Sequence, residues 1–278
     1  MIRHNPLREL LDRQPITPVI GVYDVFSASL AARHFDALFV SGFGFAASHY
    51  GLPDIGFITW TDILNFVQRV RAVAPDRALL VDIDDGYCDT EVACHVARSL
   101  ENLGASGIVL EDQARPRGCG HLGGKQILPQ EDYLRKLSAV LASRRELFVV
   151  ARTDANELDE IKRRVVAFRE AGCDAVMADG VQSLDWLTEI SGLVDCPVVF
   201  NQMAGGKSPV CNLSELRERG AGMVIYSTPC LFAAQNAVEA ALLALRAEDG
   251  SLASALTRDA TLTTCNELLQ RNLKLQEP

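Results

Sequence analysis

Residues 78–112, ALLVDIDDGYCDTEVACHVARSLENLGASGIVLED, predict a strand–helix–strand unit. The runs ALLVDID from Ala78 and GIVLED from Gly107 are almost continuously apolar, as in parallel strands that helices cover. Between the runs, apolar residues recur with the spacing of one helix face, and Gly104 is a typical helix stop. The segment therefore indicates two parallel strands joined by a helix.

The same pattern recurs along the chain. Six further apolar or β-branched runs alternate with helical stretches: PVIGVY from Pro18, ALFVSG from Ala37, LFVVART from Leu147, AVMADG from Ala175, PVVFNQ from Pro197 and MVIYST from Met223. Eight such units in about 230 residues match an α/β fold of the (β/α)8 TIM-barrel type, whereas an open doubly wound sheet usually has fewer strands. The sequence therefore predicts the barrel.

No Pro/Ser-rich linker or charge block divides the chain, so we expect residues 1–278 to form one domain. It would consist of an N-terminal helix in LRELLDRQ, a barrel over about residues 18–247 and a helical tail over about residues 248–278. The last barrel helix, CLFAAQNAVEAALLALRAE from Cys230, is unusually rich in alanine and apolar residues. We expect it to contact another subunit of a homodimer or homotetramer; burial against its own barrel is the alternative.

Composition narrows the classes of partner. The chain has 27 Lys plus Arg against 36 Asp plus Glu, a formal charge of -9, which disfavours nucleic acid. No apolar run approaches the roughly 20 residues of a membrane span, and the N-terminus lacks the apolar core of a signal peptide, so a cytoplasmic protein is expected. The eight cysteines stand singly without a CxxC pair, which indicates neither a disulfide framework nor structural zinc.

Polar residues follow several of the predicted strands, where the active site of a barrel lies. Asp82, Asp84 and Glu111 would project from neighbouring strands into one pocket, where three carboxylates would repel each other without a cation. Oxygen ligands favour Mg2+, or Mn2+ in its place, over zinc. Residues Asp85, Asp112 and Asp154 are interpreted instead as helix caps.

The loop Arg115–Lys125, RPRGCGHLGGK, follows the fourth strand. Its four glycines predict a mobile lid, and its basic residues suit a small anionic substrate. Cys119 stands between Arg117 and His121, a positive setting that is expected to lower its thiol pKa and make it an acid, base or nucleophile. A plain loop with an incidental cysteine is the alternative.

Taken in order, these segments resemble the isocitrate lyase and phosphoenolpyruvate mutase superfamily from about residue 18 to residue 245. The resemblance is carried by SGFGFAASHYGLPDIG, DIDDGY, LEDQ with RPRGCGHLGGK, ARTDA and FNQMAGGKSP. The Cys-Gly-His loop is similar to that of the carbon–carbon lyases, such as 2-methylisocitrate lyase and 2,3-dimethylmalate lyase. Phosphonate-forming mutases usually lack that cysteine.

The resemblance implies a role for each matching residue. Asp82 would bind Mg2+ directly, and Asp54, Asp84 and Glu111 would hold its water ligands. Ser41, Gly42 and Gly44 would offer hydroxyl and backbone N–H groups to a substrate carboxylate. The remaining implied substrate-binding residues are Tyr23, Arg152, Asp179 and Asn201. The implied catalytic residues are Cys119, Arg152, Glu111 and His121, with Cys119 protonating the carbanion that cleavage releases. For Asp24, beside Tyr23, helix capping is an equal alternative.

Three departures from the family pattern affect the expected reaction. The lyases generally have Lys two residues before the cysteine, whereas this chain has Arg117 followed by Gly118, and Arg scarcely deprotonates, so the general base is open. Asp179 replaces the Glu of methylisocitrate lyases, and Phe43 replaces a Gly.

The expected function is a Mg2+-dependent lyase that cleaves a 2-hydroxy di- or tricarboxylate into a 2-oxo acid and a second carboxylate. The alternatives are an oxaloacetate decarboxylase or hydrolase, a phosphoenolpyruvate or carboxyphosphonoenolpyruvate mutase, and a non-catalytic barrel subunit.

Overall fold

Each of the eight predicted strands is present in the computed structural model, which describes residues 5–121, 124–251 and 260–276. All neighbouring strands are parallel, and β8 pairs with β1 to close the barrel. The TIM-barrel prediction is therefore confirmed. The strands are β1 Thr17–Val22, β2 Ala37–Val40, β3 Ala78–Asp82, β4 Gly107–Glu111, β5 Phe148–Thr153, β6 Ala175–Ala178, β7 Val198–Asn201 and β8 Ala221–Tyr226.

Helices connect and surround these strands. The π-helical turn Ala46–Tyr50 directly follows the short helix after β2. The helices are α1 Pro6–Arg13, α2 Val25–Ala31, α3 Gly42–Phe45, α4 Trp60–Val73, α5 Thr90–Asn102, α6 Gln130–Ser143, α7 Leu158–Glu170, α8 Leu184–Ser191, α9 Leu213–Glu218, α10 Pro229–Ala247 and α11 Leu262–Lys274. The predicted helical tail thus contains α11, while residues 252–259 and 277–278 lie outside the described part of the chain.

Helix α1 closes the amino-terminal end of the barrel. Leu7 is completely buried among the inward-facing strand residues, including Phe39 and Leu80. The Asn5 side chain caps α1 by accepting the Leu7 N–H at 3.0 Å, and its amide donates to the carbonyl oxygen of Ser106 at 2.9 Å. With this end covered, the carboxyl ends of the strands remain as the place for a site.

Strands β1 and β8 approach each other closely where the barrel closes. A Cβ atom at Gly21 would lie 2.1 Å from the backbone oxygen of Ser227, a separation that no side chain tolerates. Glycine at this position therefore allows the last strand to pair with the first, and it brings Ser227 to the barrel mouth.

Helix α10 differs from the other barrel helices because none of its residues is buried. It follows β8 and contacts β1, but Val238, Leu242 and Leu243 remain about 60% exposed. Its length and apolar composition also meet the limits for a membrane span, so the expectation that no segment approaches those limits is wrong for this helix. Length and composition are weak evidence for a membrane, since α10 belongs to a closed barrel and carries Gln235 and Glu239.

Candidate active site

The carboxyl ends of the strands surround a small cavity of about 30 Å³. This volume accommodates about two water molecules, so the structure is a closed state in which substrate-sized ligands do not fit. Eight of the predicted site residues line it: Ser41, Asp54, Asp82, Cys119, His121, Arg152, Asp179 and Asn201. The barrel topology therefore brings together residues that lie up to 160 positions apart in the sequence.

Arg117 of the lid loop reaches three of the carboxylates that were predicted to hold a metal ion. Its Nη1 lies 2.6 Å from Asp54 Oδ1, its Nη2 lies 2.9 Å from Asp84 Oδ1 and its Nε lies 3.0 Å from Glu111 Oε1. The four side chains are between 1% and 7% exposed, so water screens these ion pairs little. The guanidinium thus supplies positive charge to the carboxylate cluster.

Asp82 completes this cluster on the cavity side. Burial raises the pKa of Asp82, whereas Arg152 and Arg117 lower it, and burial also raises the pKa of Asp84 to about 8 against the pull of Arg117. Burial raises the pKa of Glu111 in the same way. The raised pKa values mean that the cost of removing these carboxylates from water exceeds the stabilisation that Arg117 and Arg152 give them.

The cluster fits a hard divalent cation held largely through water. Within the described residues, no three His, Cys, Asp or Glu side chains converge closely enough to bind a metal ion directly. Two buried oxygens of the cluster nevertheless lack a hydrogen bond. Asp84 Oδ1 lies near Arg117, and Glu111 Oε2 lies near Arg152, but neither contact has the alignment of a hydrogen bond. One direct carboxylate with further carboxylates on bound water is common for Mg2+. Of the four carboxylates, Asp54 and Asp82 line the cavity.

Arg152 is surrounded by the protein's own carboxylates. Its Nη2 lies 2.7 Å from Asp179 Oδ2, 3.0 Å from Asp154 Oδ1 and 3.3 Å from Glu111 Oε2. Burial raises the pKa of Asp179, but Arg152 and His121 outweigh it, so the pKa stays below its usual range. A substrate carboxylate at Arg152 would therefore replace an existing anionic partner.

His121 and Asn201 hold Asp179 from the other side. The backbone N–H of Lys207 donates to His121 Nδ1 at 3.1 Å, so neutral His121 carries its proton on Nε2, which lies 3.3 Å from Asp179 Oδ1. Asn201 Nδ2 donates to the same oxygen at 2.8 Å, and the Ser227 hydroxyl donates to Asn201 Oδ1 at 2.7 Å. His121 is thus a positioning residue for Asp179 in this closed state.

The expected activation of Cys119 by its sequence neighbours is not observed. The side chain of Arg117 is directed to the carboxylates and that of His121 to Asp179. Burial raises the pKa of the Cys119 thiol above its ordinary value of 9.0, although the backbone N–H of His121 partly opposes this. The thiol is therefore protonated at neutral pH, which suits a proton donor and not a thiolate nucleophile.

Internal contacts hold the lid loop closed. Lys125 Nζ donates to the carbonyl oxygen of Gly120 at 2.6 Å and pairs with Asp154, and Gln113 makes two hydrogen bonds with the backbone of Gly118. A Cβ atom at Gly120 would lie 1.7 Å from Asp179 Oδ2, so only glycine permits this approach. Leu122 and Gly123, two residues of the predicted lid, lie outside the described residues.

The loop after β2 contributes Ser41 to the wall of the cavity. The Ser41 hydroxyl accepts the Gly44 N–H at 3.1 Å and caps α3, and its own hydrogen remains available as a donor. Gly42 lies against the carboxylates, since a Cβ there would be 3.2 Å from Asp82 Oδ2. Tyr23 is not among the residues that line the cavity. The capping alternative for Asp24 is confirmed, because it forms a capping box with Ser27.

The helix-cap interpretation of three other aspartates is wrong. Asp85 accepts two hydrogen bonds from Arg115, at 2.7 and 2.9 Å. Asp112 pairs with Arg164 at 2.9 Å and accepts the Asp154 N–H at the same distance, while Asp154 pairs with Arg152. These aspartates stabilise the barrel mouth through ion pairs, which strand-end position alone did not reveal.

The phosphoenolpyruvate phosphomutase family model matches residues 7–246 of this chain. The chain belongs to this superfamily. It is 35% identical to 2-methylisocitrate lyase of Bacillus subtilis (strain 168) over 248 residues, which are 88% of this chain and 81% of that protein. It is 30% identical to 2,3-dimethylmalate lyase of Eubacterium barkeri over 271 residues, 95% of this chain and 92% of that protein.

A solved structure of a superfamily member has the same fold as this chain. A structure of oxaloacetate acetylhydrolase in complex with 3,3-difluorooxalacetate superposes with a TM-score of 0.91 at 26% identity, covering 97% of this chain and 94% of that one. The resemblance seen in the sequence motifs is therefore confirmed, and the chain is an enzyme of the phosphoenolpyruvate mutase and isocitrate lyase superfamily whose named relatives include carbon–carbon lyases.

Several residues at this superfamily site were missed from the sequence. Ser227 follows β8 as the other polar residues follow their strands, so the same rule would have identified it. The apolar residues had no such signal, because inside a barrel they look like core. The apolar lining residues missed in this way are Phe39, Val109, Met177, Met203 and Ile225. Phe43, which also lines the cavity, was identified in the sequence as a departure from the family pattern.

We expect the Cys119 thiol to ionise only above pH 9.0, because burial raises its pKa. The ultraviolet absorbance that a thiolate adds is followed against pH in the wild type and in Cys119→Ser, and the difference between the two titrations reports this thiol without a reagent that has to enter the cavity. Ionisation of Cys119 below pH 9.0 would contradict the raised pKa.

Proposed function

We propose that this chain is a Mg2+-dependent lyase that cleaves the C2–C3 bond of a 2-hydroxy di- or tricarboxylate of the 2-alkylmalate or 2-methylisocitrate type. The products are a 2-oxo acid and a second carboxylate. The observation that carries the proposal is the buried thiol of Cys119, which lines the same cavity as Asp82 and Arg152 and whose pKa burial raises. The lyase names of the relatives from Bacillus subtilis and Eubacterium barkeri support it.

The proposed metal residues divide into one direct and three indirect ligands. Asp82 would hold Mg2+, which Mn2+ can replace, and Asp54, Asp84 and Glu111 would hold its water molecules. When bound, the cation supplies charge stabilisation for the oxygen that develops negative charge at C2. Glu111 is the carboxylate proposed to accept the proton that leaves the C2 hydroxyl, which its raised pKa favours. The residues of the chain then have two further tasks, which are to bind the carboxylates of the substrate and to deliver a proton to the carbanion.

Arg152 and Cys119 are the side chains proposed for these tasks. Arg152 would bind a substrate carboxylate in place of Asp179, because its Nη2 already lies 2.7 Å from the carboxylate oxygen Asp179 Oδ2. Cys119 would give its proton to the carbanion that C–C cleavage leaves behind. Closure of the loop that contains Cys119 keeps bulk water away from this carbanion, since the closed cavity holds only about two water molecules.

The walls of the cavity favour a dicarboxylate with an apolar substituent over a tricarboxylate. Among the residues that line the cavity, Arg152 is the permanent cation, and six lining side chains are apolar. A third substrate carboxylate would face Phe43, Met177 or Met203, and an unpaired charge against such residues costs several kcal/mol. A 2-alkylmalate would place its alkyl group there instead.

A panel of substrates tests the proposed reaction. The purified protein is incubated with Mg2+ and 2,3-dimethylmalate, 2-methylisocitrate, isocitrate, oxaloacetate or phosphonopyruvate, and products are identified by NMR. We expect a 2-oxo acid and a second carboxylate from the branched 2-hydroxy acid, and complete loss of turnover in EDTA that Mg2+ or Mn2+ reverses. Turnover of oxaloacetate or phosphonopyruvate alone would instead assign a hydrolase, decarboxylase or mutase, and activity in chelator would exclude the metal role.

The substitution Cys119→Ser separates the lyase from these alternatives. If the thiol protonates the carbanion, this variant is expected to lose about two to four orders of magnitude in kcat on a branched 2-hydroxy acid. Binding of Mg2+ and oxalate, measured by calorimetry, should remain. The matched control Cys88→Ser changes an exposed cysteine and should retain full activity. An equally small loss for both variants on every substrate would show that Cys119 is not the proton donor.

A homodimer or homotetramer through α10 is proposed as the functional form. Support comes from the apolar residues Val238, Leu242 and Leu243, which remain about 60% exposed in the described chain. A second copy is the occupant expected for them, because most soluble oligomers are symmetric assemblies of identical chains. A cytoplasmic location is proposed with it, since all eight cysteines are free, as in a reducing compartment.

The oligomer is tested by light scattering after size-exclusion chromatography. The wild type should have a multiple of the 30.3 kDa chain mass, and Leu242→Glu with Leu243→Glu should lower it, because charges oppose burial of this face. Leu193→Glu, at a 47% exposed leucine elsewhere, is the control and should leave the mass unchanged. A wild-type mass of 30.3 kDa would contradict the proposed oligomer.

A further inference from the structure

Arg117 joins the lid loop to the carboxylate cluster. One guanidinium contacts carboxylates from three different segments, Asp54 before α4, Asp84 after β3 and Glu111 at the end of β4. Each of its three nitrogens has a partner within 3.0 Å, and the Arg117 side chain is only 2% exposed. The planar group matches this arrangement in a way that a lysine, with one nitrogen, does not.

The carboxylates that Arg117 contacts are those proposed to hold the water ligands of a divalent cation. We propose that Arg117 and the cation compete for these carboxylates, so that metal binding alone loosens the lid and an anionic ligand on the metal closes it again. Arg117 is then a positioning residue that makes lid closure depend on the net charge of the site. This inference rests on the proposed metal site.

The competition follows from the charges. When ionised, the four carboxylates of Asp54, Asp82, Asp84 and Glu111 attract the single charge of Arg117 in a buried environment, where attraction is strong. A divalent cation neutralises half of that charge and lowers the attraction for Arg117. A dianionic ligand such as oxalate restores the charge, and with it the attraction that holds the lid closed.

Coupling between two equilibria is reciprocal. If bound metal weakens lid closure, lid closure must weaken metal binding by the same factor. Removing the charge of Arg117 should therefore tighten metal binding. Arg115 offers a matched control on the same loop, since it pairs with Asp85 at 2.7 Å and is 43% exposed. Asp85 is not among the residues that line the cavity.

Two measurements test the inference on the full chain. Calorimetry gives the Kd for Mn2+ of the wild type, Arg117→Gln, Arg117→Lys and Arg115→Gln. We expect Arg117→Gln to bind Mn2+ about tenfold more tightly or better, because the substitution removes the charge that competes with the cation. A tenfold change in Kd corresponds to about 1.4 kcal/mol. The Kd of Arg117→Lys for Mn2+ should lie between those of the wild type and Arg117→Gln. The Kd of Arg115→Gln should equal the wild-type value.

Hydrogen exchange of a peptide that covers residues 113–121 reports lid closure in the wild type, independently of any variant. Mn2+ alone should raise its exchange, and Mn2+ with oxalate should lower it below that of the metal-bound enzyme. Unchanged or weaker Mn2+ binding by folded Arg117→Gln, or lid protection by Mn2+ alone, would overturn the inference while leaving the proposed metal site intact. A wild type that binds no Mn2+ would overturn both.

Discussion

The excess of buried negative charge at the barrel mouth is the constraint on which the rest of the site depends. Three cationic side chains in the described chain, Arg117, Arg152 and Lys125, contact these carboxylates, and two of the three belong to the lid loop. Closing the loop is therefore an electrostatic event as well as a steric one, because it brings compensating charge to groups that cannot stay ionised alone. The carboxylates are Asp54, Asp82, Asp84, Glu111, Asp154 and Asp179.

A series of buried ion pairs and hydrogen bonds fixes the orientation of Arg152. Arg164 pairs with Asp112 at 2.9 Å, Asp112 accepts the Asp154 N–H at 2.9 Å, and Asp154 accepts hydrogen bonds from two Arg152 nitrogens. Each member is buried, so each needs the next as its partner. Arg152 is thus held in position before a substrate arrives. In the proposed reaction a substrate carboxylate would displace Asp179 from Arg152, and His121 and Asn201 would remain as the partners of Asp179.

The sequence predicted the barrel because the signal is local: eight apolar runs separated by amphipathic stretches determine strands and helices without knowledge of distant contacts. It also predicted which strand-end residues meet, because parallel strands place their carboxyl ends together. It did not predict where Arg117 points, since its partner Asp54 is 63 residues away and contact depends on how the loop folds back. For Cys119, adjacent positive residues were expected to lower the thiol pKa. Their side chains instead diverge, and burial raises it.

The raised pKa of the Cys119 thiol is a consequence of the closed position of the loop. Cys119 is buried because the loop segment that contains it lies over the cavity, and this segment is held there by Arg117 on one side and by Lys125 on the other. An open loop would return the thiol to water, where its pKa would move back toward the ordinary value. The protonated form is therefore most stable when water is excluded and the cavity is sealed. The proton donation proposed for Cys119 would then follow closure, when the carbanion is shielded from solvent.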